Sequence, residues 1–252
     1  MIKLLTILFI IAQLNANDTI TSQLKYSFIN VNLNYLDWNH NTENSSAKRD
    51  FSYIGLEGGF GYKRIDIYAF LNVENPTHNY NTPSPSDLRF TSLIDSDIEI
   101  KNNFKIHFHN YYLNSDSFYV SNSVLGIGYK LNTNFGLWLR PYIGFHYTKD
   151  TYYNGLNGYM GGWIFNYSFN LINLDFNLSQ WNEIEFKRDK DFYLLNNKPI
   201  GDGESWGLNG AISLWLNLNK TMSIGTQYRY AKNKLGYSNY QSAMIYTLKY
   251  SY

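Results

Sequence analysis

His107 and His109 are the only close histidine pair in a chain that holds His 5 and Cys 0. One residue apart, they would put two imidazoles on the same face of an extended strand, from which a metal ion could be held. The sequence specifies no third ligand, so no metal site is expected. Without Cys there is no thiolate site and no disulfide framework. The pattern G-x-S-x-G occurs once, at Gly203-Glu204-Ser205-Trp206-Gly207, where a strand and not the helix of a nucleophile elbow follows, and no H-E-x-x-H motif occurs. Gly58-Gly59-Phe60-Gly61 and Gly201-Asp202-Gly203 do not have the form of a phosphate loop. No catalytic residue and no cofactor is therefore assigned. What remains is a set of aromatic and ionisable side chains whose chemistry is recognition: Asp66, Tyr68, Phe70, Glu99, Trp138, Arg140, Glu183, Trp215 and Arg229. Rings of this kind offer flat stacking surface, and carboxylates or guanidinium groups orient hydroxyls.

The elements that must position them show period 2. Ile29, Val31, Leu33 and Tyr35 alternate with Asn30, Asn32 and Asn34, and Phe104, Ile106 and Phe108 alternate with Lys105, His107 and His109. Ile172, Leu174, Phe176 and Leu178 likewise alternate with Asn173, Asp175 and Asn177. Such alternation separates two faces cleanly in a strand and would smear them in a helix. It predicts about twelve strands: 24–38, 50–60, 64–74, 88–100, 103–114, 117–131, 135–148, 157–169, 171–187, 205–217, 221–233 and 240–252. Most are long enough to cross a bilayer at a tilt. Short turns near 61–63, 101–102, 132–134, Asn170 and 219–220 alternate with longer polar links at 39–49, 75–87, 149–156, 188–204 and 234–239. Only the link near 114–117 is short where a long one is due. Short turns on one rim and long loops on the other imply an all-β fold, a transmembrane antiparallel up-and-down β-barrel of about 12 strands, with both termini on the periplasmic rim. A secreted β-sandwich would also alternate, but with shorter strands.

Composition agrees. Aromatic residues are 18% and charged residues 16% of 252, against about 25% charged in an ordinary domain. So many rings exclude a disordered chain, and a net charge of +1 gives no field for a nucleic-acid polymer. The mean hydropathy of −0.38 does not argue for solubility, because averaging over alternating faces hides a lipid-facing wall. Lys3, the apolar run 4–12 and Ala16 have the layout of a secretory signal over residues 1–16, leaving a barrel over 17–252. Its removal leaves 20 basic against 20 acidic residues. Outward Tyr129, Tyr147, Tyr228, Tyr230, Tyr250 and Tyr252 fall near strand ends and read as an interfacial girdle.

The segment Glu57-Gly58-Gly59-Phe60-Gly61-Tyr62-Lys63-Arg64-Ile65-Asp66-Ile67-Tyr68-Ala69-Phe70 resembles the nucleoside-specific channel family (Tsx-type), as do Gly126-Ile127-Gly128-Tyr129 and Asn157-Gly158-Tyr159-Met160-Gly161-Gly162-Trp163. The resemblance covers residues 24–252 and departs most over 88–116. It implies passive passage of nucleosides or similar small uncharged solutes across the outer membrane of a Gram-negative bacterium, without a cofactor. The nine recognition residues above would then line the solute path. Expected partners are the solute, outer-membrane lipid and the barrel assembly machinery, to which a last strand ending on an aromatic looks like a signal. No nucleic-acid polymer is expected, and a monomer is favoured. The rival reading is an adhesin or structural barrel whose outer loops bind a ligand.

Overall fold

Two-residue turns set the rim that carries the chain termini. Asn102 and Asn103 hold φ of 53° and 68°, and Ile172 and Asn173 hold 52° and 59°. Positive φ at both central residues is the type I′ geometry, whose twist matches that of the strands it joins. Asn tolerates this conformation, whereas a β-branched Ile rarely adopts it.

The computed structural model describes residues 23–252, so the leader expected over 1–16 lies outside the described residues. Twelve long strands follow one another: β1 Leu24–Trp38, β2 Phe51–Tyr62, β3 Ile65–Glu74, β4 Arg89–Lys101, β5 Phe104–Asn114, β6 Tyr119–Tyr129, β7 Leu137–Asp150, β8 Asn154–Leu171, β9 Leu174–Phe186, β10 Trp206–Asn217, β11 Met222–Lys232 and β12 Gln241–Ser251. Each pairs antiparallel with its neighbours, and β1 also pairs with β12, as in Leu33↔Leu248. The sheet is therefore a closed 12-stranded barrel. Closure leaves no unpaired edge, which is the condition for crossing lipid with strands.

Burial is inverted relative to a soluble protein. Leu125, Ile127 and Phe145 on the outer face are 58%, 56% and 59% exposed, while inward Asp97 and His107 are 0% exposed. A sandwich would bury the first set and expose the second. The apolar face meets lipid, and the polar face fills the bore.

Three expectations for the connections need correction. The link at 149–156 is not long: β7 and β8 extend to leave only 151–153, because Asp150 Oδ1 accepts from the backbone N–H groups of Tyr152 (2.6 Å) and Tyr153 (2.7 Å) and closes a tight turn. The turn near Asn170 lies at Ile172–Asn173, so Ile172 is a turn residue, 85% exposed, and not a member of the alternating strand. The predicted strand 117–131 breaks at Lys130, after which Leu131 and Asn132 pair with Leu139 and Trp138.

The longer loops are tied to one another and to the strand ends. α1 (His40–Ser45) is pinned to the end of β12 where Ser242 N donates to Thr42 Oγ1 (3.1 Å). Its loop is tied to the last one by Ala47 N donating to Tyr237 Oη (2.9 Å) and Lys48 Nζ to the Leu235 carbonyl (3.2 Å). The loop carrying α2 (Lys190–Tyr193) is anchored by Arg188, which donates to Glu185 Oε2 (2.7 Å) and the Asn233 carbonyl (2.8 Å). Lys234 also contacts Glu185.

Candidate functional site

Strand parity brings the predicted residues to the inner face, and register decides which of them meet. Asp66 on β3 stands opposite Asp97 on β4, which stands opposite His107 on β5. These carboxylates are compensated from several strands. Lys105 Nζ lies 2.6 Å from Asp66 Oδ2 and 3.4 Å from Asp97 Oδ2. Arg140, from β7, places its two terminal nitrogens 2.9 Å from Asp97 Oδ2 and 2.9 Å from Asp95 Oδ1. His107 Nδ1 donates to Asp97 Oδ1 at 2.9 Å, and Tyr26 Oη to Asp66 Oδ1 at 3.3 Å. The side chains of Lys105, Asp97, His107 and Asp95 are at most 2% exposed. Asp66 and Arg140 are thus held in a packed ionic cluster on the β3–β7 wall, in the half of the bore nearer the short turns.

The other predicted residues stand apart from it. Tyr68 and Phe70 are half-buried, their rings 6.4 Å apart and edge-on. Tyr68 Oη donates to Glu57 Oε2 (2.8 Å), and Glu57 also accepts from Asn30 Nδ2 (2.8 Å) and pairs with Lys249 (2.9 Å). Trp215 faces the bore as parity requires, but its stacking surface is taken. A Cβ on Gly225 would strike its ring, so the ring lies over that glycine, and Lys249 Nζ sits 3.8 Å from the ring centroid. Trp138 is covered in part by the Arg140 guanidinium, 5.4 Å away. Glu183 is 16% exposed, with Oε1 3.6 Å from His109 Nε2. Glu99 and Arg229 are half-buried and make no ion pair among the described residues, and the Nε of Arg229 is buried without a hydrogen-bond partner there.

Lys48 lies in the loop that carries α1. Its ammonium lies 5.0 Å from the Trp38 ring and 5.6 Å from the Tyr237 ring. Burial lowers its pKa to about 8, with repulsion from Arg229 and Arg89 pushing the same way. Burial raises Asp202 in the α2 loop, against the pull of Arg188.

Three features escape the sequence reading. Asp95 shares parity with Asp97 and Glu99, a signal sufficient to place it inward. Asp95, His107 and His109 each offer a ligand atom within 4.8 Å of the others, so strand β4 supplies the third group that the histidine pair lacks. On the lipid face, Gln180 Nε2 donates to Tyr230 Oη (3.1 Å), which donates to Asn182 Oδ1 (2.8 Å). Tyr230 faces outward as expected, but its hydroxyl satisfies this polar group and is not given over to the headgroup layer.

The inner face of the barrel is therefore a wall of compensated charge beside a band of half-buried rings, carboxylates and one guanidinium. Among solved structures, the barrel is similar to the NanC porin, with 10% identity, 88% of this chain and 98% of that chain covered and a TM-score of 0.49. It is similar to the KdgM porin with 8% identity, 88% and 99% coverage and a TM-score of 0.49. An outer membrane phospholipase of Salmonella typhi gives 13% identity, 88% and 90% coverage and a TM-score of 0.44. The family described as nucleoside-specific channel-forming protein, Tsx, matches residues 33–252. The chain belongs to that channel-forming family and is a β-barrel channel of the Gram-negative outer membrane.

Proposed function

We propose that the channel passes nucleosides or closely similar uncharged solutes by stacking the base on Phe70 and Tyr68 while Glu183 and Arg229 orient the polar groups. One observation carries this reading: these four inward groups are half-buried, whereas Asp66, Asp95, Asp97, Lys105 and Arg140 are engaged in ion pairs with one another and nearly inaccessible. Base stacking on an aromatic is worth roughly 1–3 kcal/mol, enough to select a solute and weak enough to release it. Asp66 and Arg140 act here through the wall they build. Trp215 joins the path only where a solute displaces Lys249 from its ring. Glu99 and Trp138 lie toward the periplasmic exit.

Export through cleavage after Ala16, delivery by the barrel assembly machinery through the terminal aromatic strand, and a monomer in outer-membrane lipid complete the proposal. Amino-terminal sequencing of the mature protein should begin at Asn17. The central test is single-channel recording in planar bilayers with adenosine and uridine added. Current should fall saturably with nucleoside, and Phe70→Ala should weaken that block roughly 5- to 150-fold. Conductance indifferent to millimolar nucleoside would refute the reading.

A further inference from the structure

The structure assigns a transition-metal site to the lumen wall, formed by Asp95, His107 and His109, and we propose that it takes zinc or an ion of similar softness. The argument begins with parity and register. On β5, His107 and His109 point to the same side, and on β4 Asp97 stands opposite His107 while Asp95 stands opposite His109. Two imidazoles and one carboxylate thereby converge from adjacent strands, with one potential ligand atom from each within 4.8 Å of the others.

The second observation concerns which nitrogens are free. His107 Nδ1–H donates to Asp97 Oδ1 at 2.9 Å, so the ring's lone pair is on Nε2. That Nε2 is buried and has no hydrogen-bond partner among the described residues, and the side chain is 0% exposed. A buried acceptor left in this state is destabilising, and metal coordination removes that cost. His109 has the complementary arrangement. Its Nε2 faces Glu183 Oε1 at 3.6 Å, and its Nδ1 faces Asp95 Oδ2 at 3.9 Å. Each imidazole has a carboxylate behind it, Asp97 for His107 and Glu183 for His109, as metal-bound histidines do, and His109 turns Nδ1 toward the Asp95 oxygen that would share the ion. Tyr142 stacks on His107 at 4.1 Å and fixes the ring plane.

Electrostatics permits a dication. Arg140 engages Asp95 Oδ1 at 2.9 Å and leaves Oδ2, the oxygen on the His109 side. Asp95, Asp97 and Glu183 surround the site with three carboxylates, against Arg140 and a Lys105 shared with Asp66. A tetrahedral ion with bonds of about 2.0–2.1 Å needs its ligand atoms about 3.3 Å apart, so closure asks for shifts of roughly an ångström. Two nitrogens and one oxygen suit zinc, copper(II) or nickel(II), whereas calcium and magnesium take all-oxygen sets. Three protein ligands leave a further position for water or a solute group.

The test uses the full barrel, purified in detergent and stripped with EDTA, titrated with Zn2+ by calorimetry and with Co2+ by its visible absorption. One Zn2+ per chain should bind with micromolar or tighter affinity. His107→Gln and His109→Gln should each weaken it by at least about tenfold, and the exposed-loop control His40→Gln should not. Should the lumen variants fail to fold, X-ray absorption on the Zn2+-loaded wild type decides, with two imidazoles in a shell at about 2.0–2.1 Å expected. No saturable binding below about 100 µM Zn2+, roughly a 5–6 kcal/mol threshold, overturns the site. So does undiminished binding in a folded double variant, or a shell without imidazole. No nucleoside enters these measurements, so their outcome is independent of the permeation reading.

Discussion

Replacing Arg140 by Met should separate the wall of the bore from its solute path. Arg140 compensates two carboxylates at once, Asp95 and Asp97, each at 2.9 Å, and all three side chains are at most 6% exposed. Without it, Asp97 keeps His107 at 2.9 Å and Lys105 at 3.4 Å, but Asp95 keeps only His109 at 3.9 Å. The loss is therefore essentially one uncompensated buried charge, and breaking a buried pair from one side costs about 3–5 kcal/mol. The partial compensation of Asp97 favours the lower end, near 3 kcal/mol. Urea unfolding from lipid vesicles, followed by tryptophan fluorescence, reads this directly. With m of about 1–3 kcal/mol per molar, the midpoint should fall by roughly 1–3 M at unchanged m. Adding Asp95→Asn to Arg140→Met should restore part of the loss, since the orphaned charge goes with it. A midpoint within experimental error of wild type would show that water reaches the cluster and screens it, and would refute the division drawn between ionic wall and solute path.

Three further outcomes follow from other parts of the barrel. With its pKa at about 8, Lys48 should lose its charge as pH rises through that value, shifting the reversal potential in a KCl gradient toward cations, and Lys48→Gln should abolish the step. Between about 8 and 10.5 the unfolded chain binds the extra proton, so stability should also rise with pH across that window. Gly126→Ala should lower stability by more than about 2 kcal/mol, because its Cβ would collide with the Ile143 carbonyl where β6 and β7 approach; heat-modifiability on gels would reveal it. Tyr230→Phe removes the hydroxyl that links Gln180 and Asn182 on the lipid face, and should cost about 1–3 kcal/mol in the same urea assay with permeation unchanged.

Much of this architecture is legible in the sequence because a barrel strand writes its two faces into alternate residues. Asn30, Asp66, Lys105, Arg140 and Trp215 are all placed inward by parity alone. Turn positions are less legible. Ile172 reads as a strand residue because it is apolar, and only the chain's need for a two-residue reversal puts it at φ 52°. Pairing between strands that are not neighbours is not legible at all. Arg140 and Asp97 are 43 residues apart and on strands β7 and β4, and no local pattern says that they meet. Trp215 shows the same limit from the other side: parity gives its direction, but Gly225 and Lys249 decide that its faces are covered. Gln180 and Asn182 violate the outward apolar pattern openly, and Tyr230, with Trp163 Nε1 donating to Gln180 Oε1 at 3.2 Å, explains why lipid tolerates them.

The pairing also changes what near-neutrality of the chain means. Asp66, Asp95 and Asp97 are met by Lys105, Arg140 and, at 3.8 Å from Asp66, Lys130. Glu57 is met by Lys249, Glu74 by Arg89, and Glu185 by Arg188 and Lys234. Charges compensated at contact distance leave little field along the axis, whatever their number. Among the predicted lining residues, the ionisable groups outside this pairing are Glu99, Glu183 and Arg229, which do not sum to a strong field of either sign. On the proposed reading, a bore built this way would neither collect counter-ions nor repel them strongly, and selection would fall to shape, stacking and hydrogen bonds. Those are the terms on which an uncharged solute carrying a flat ring and several hydroxyls differs most from water and salt. It is the same compensation that leaves Asp95, His107 and His109 with ligand atoms turned toward one another, since their outer partners are already supplied.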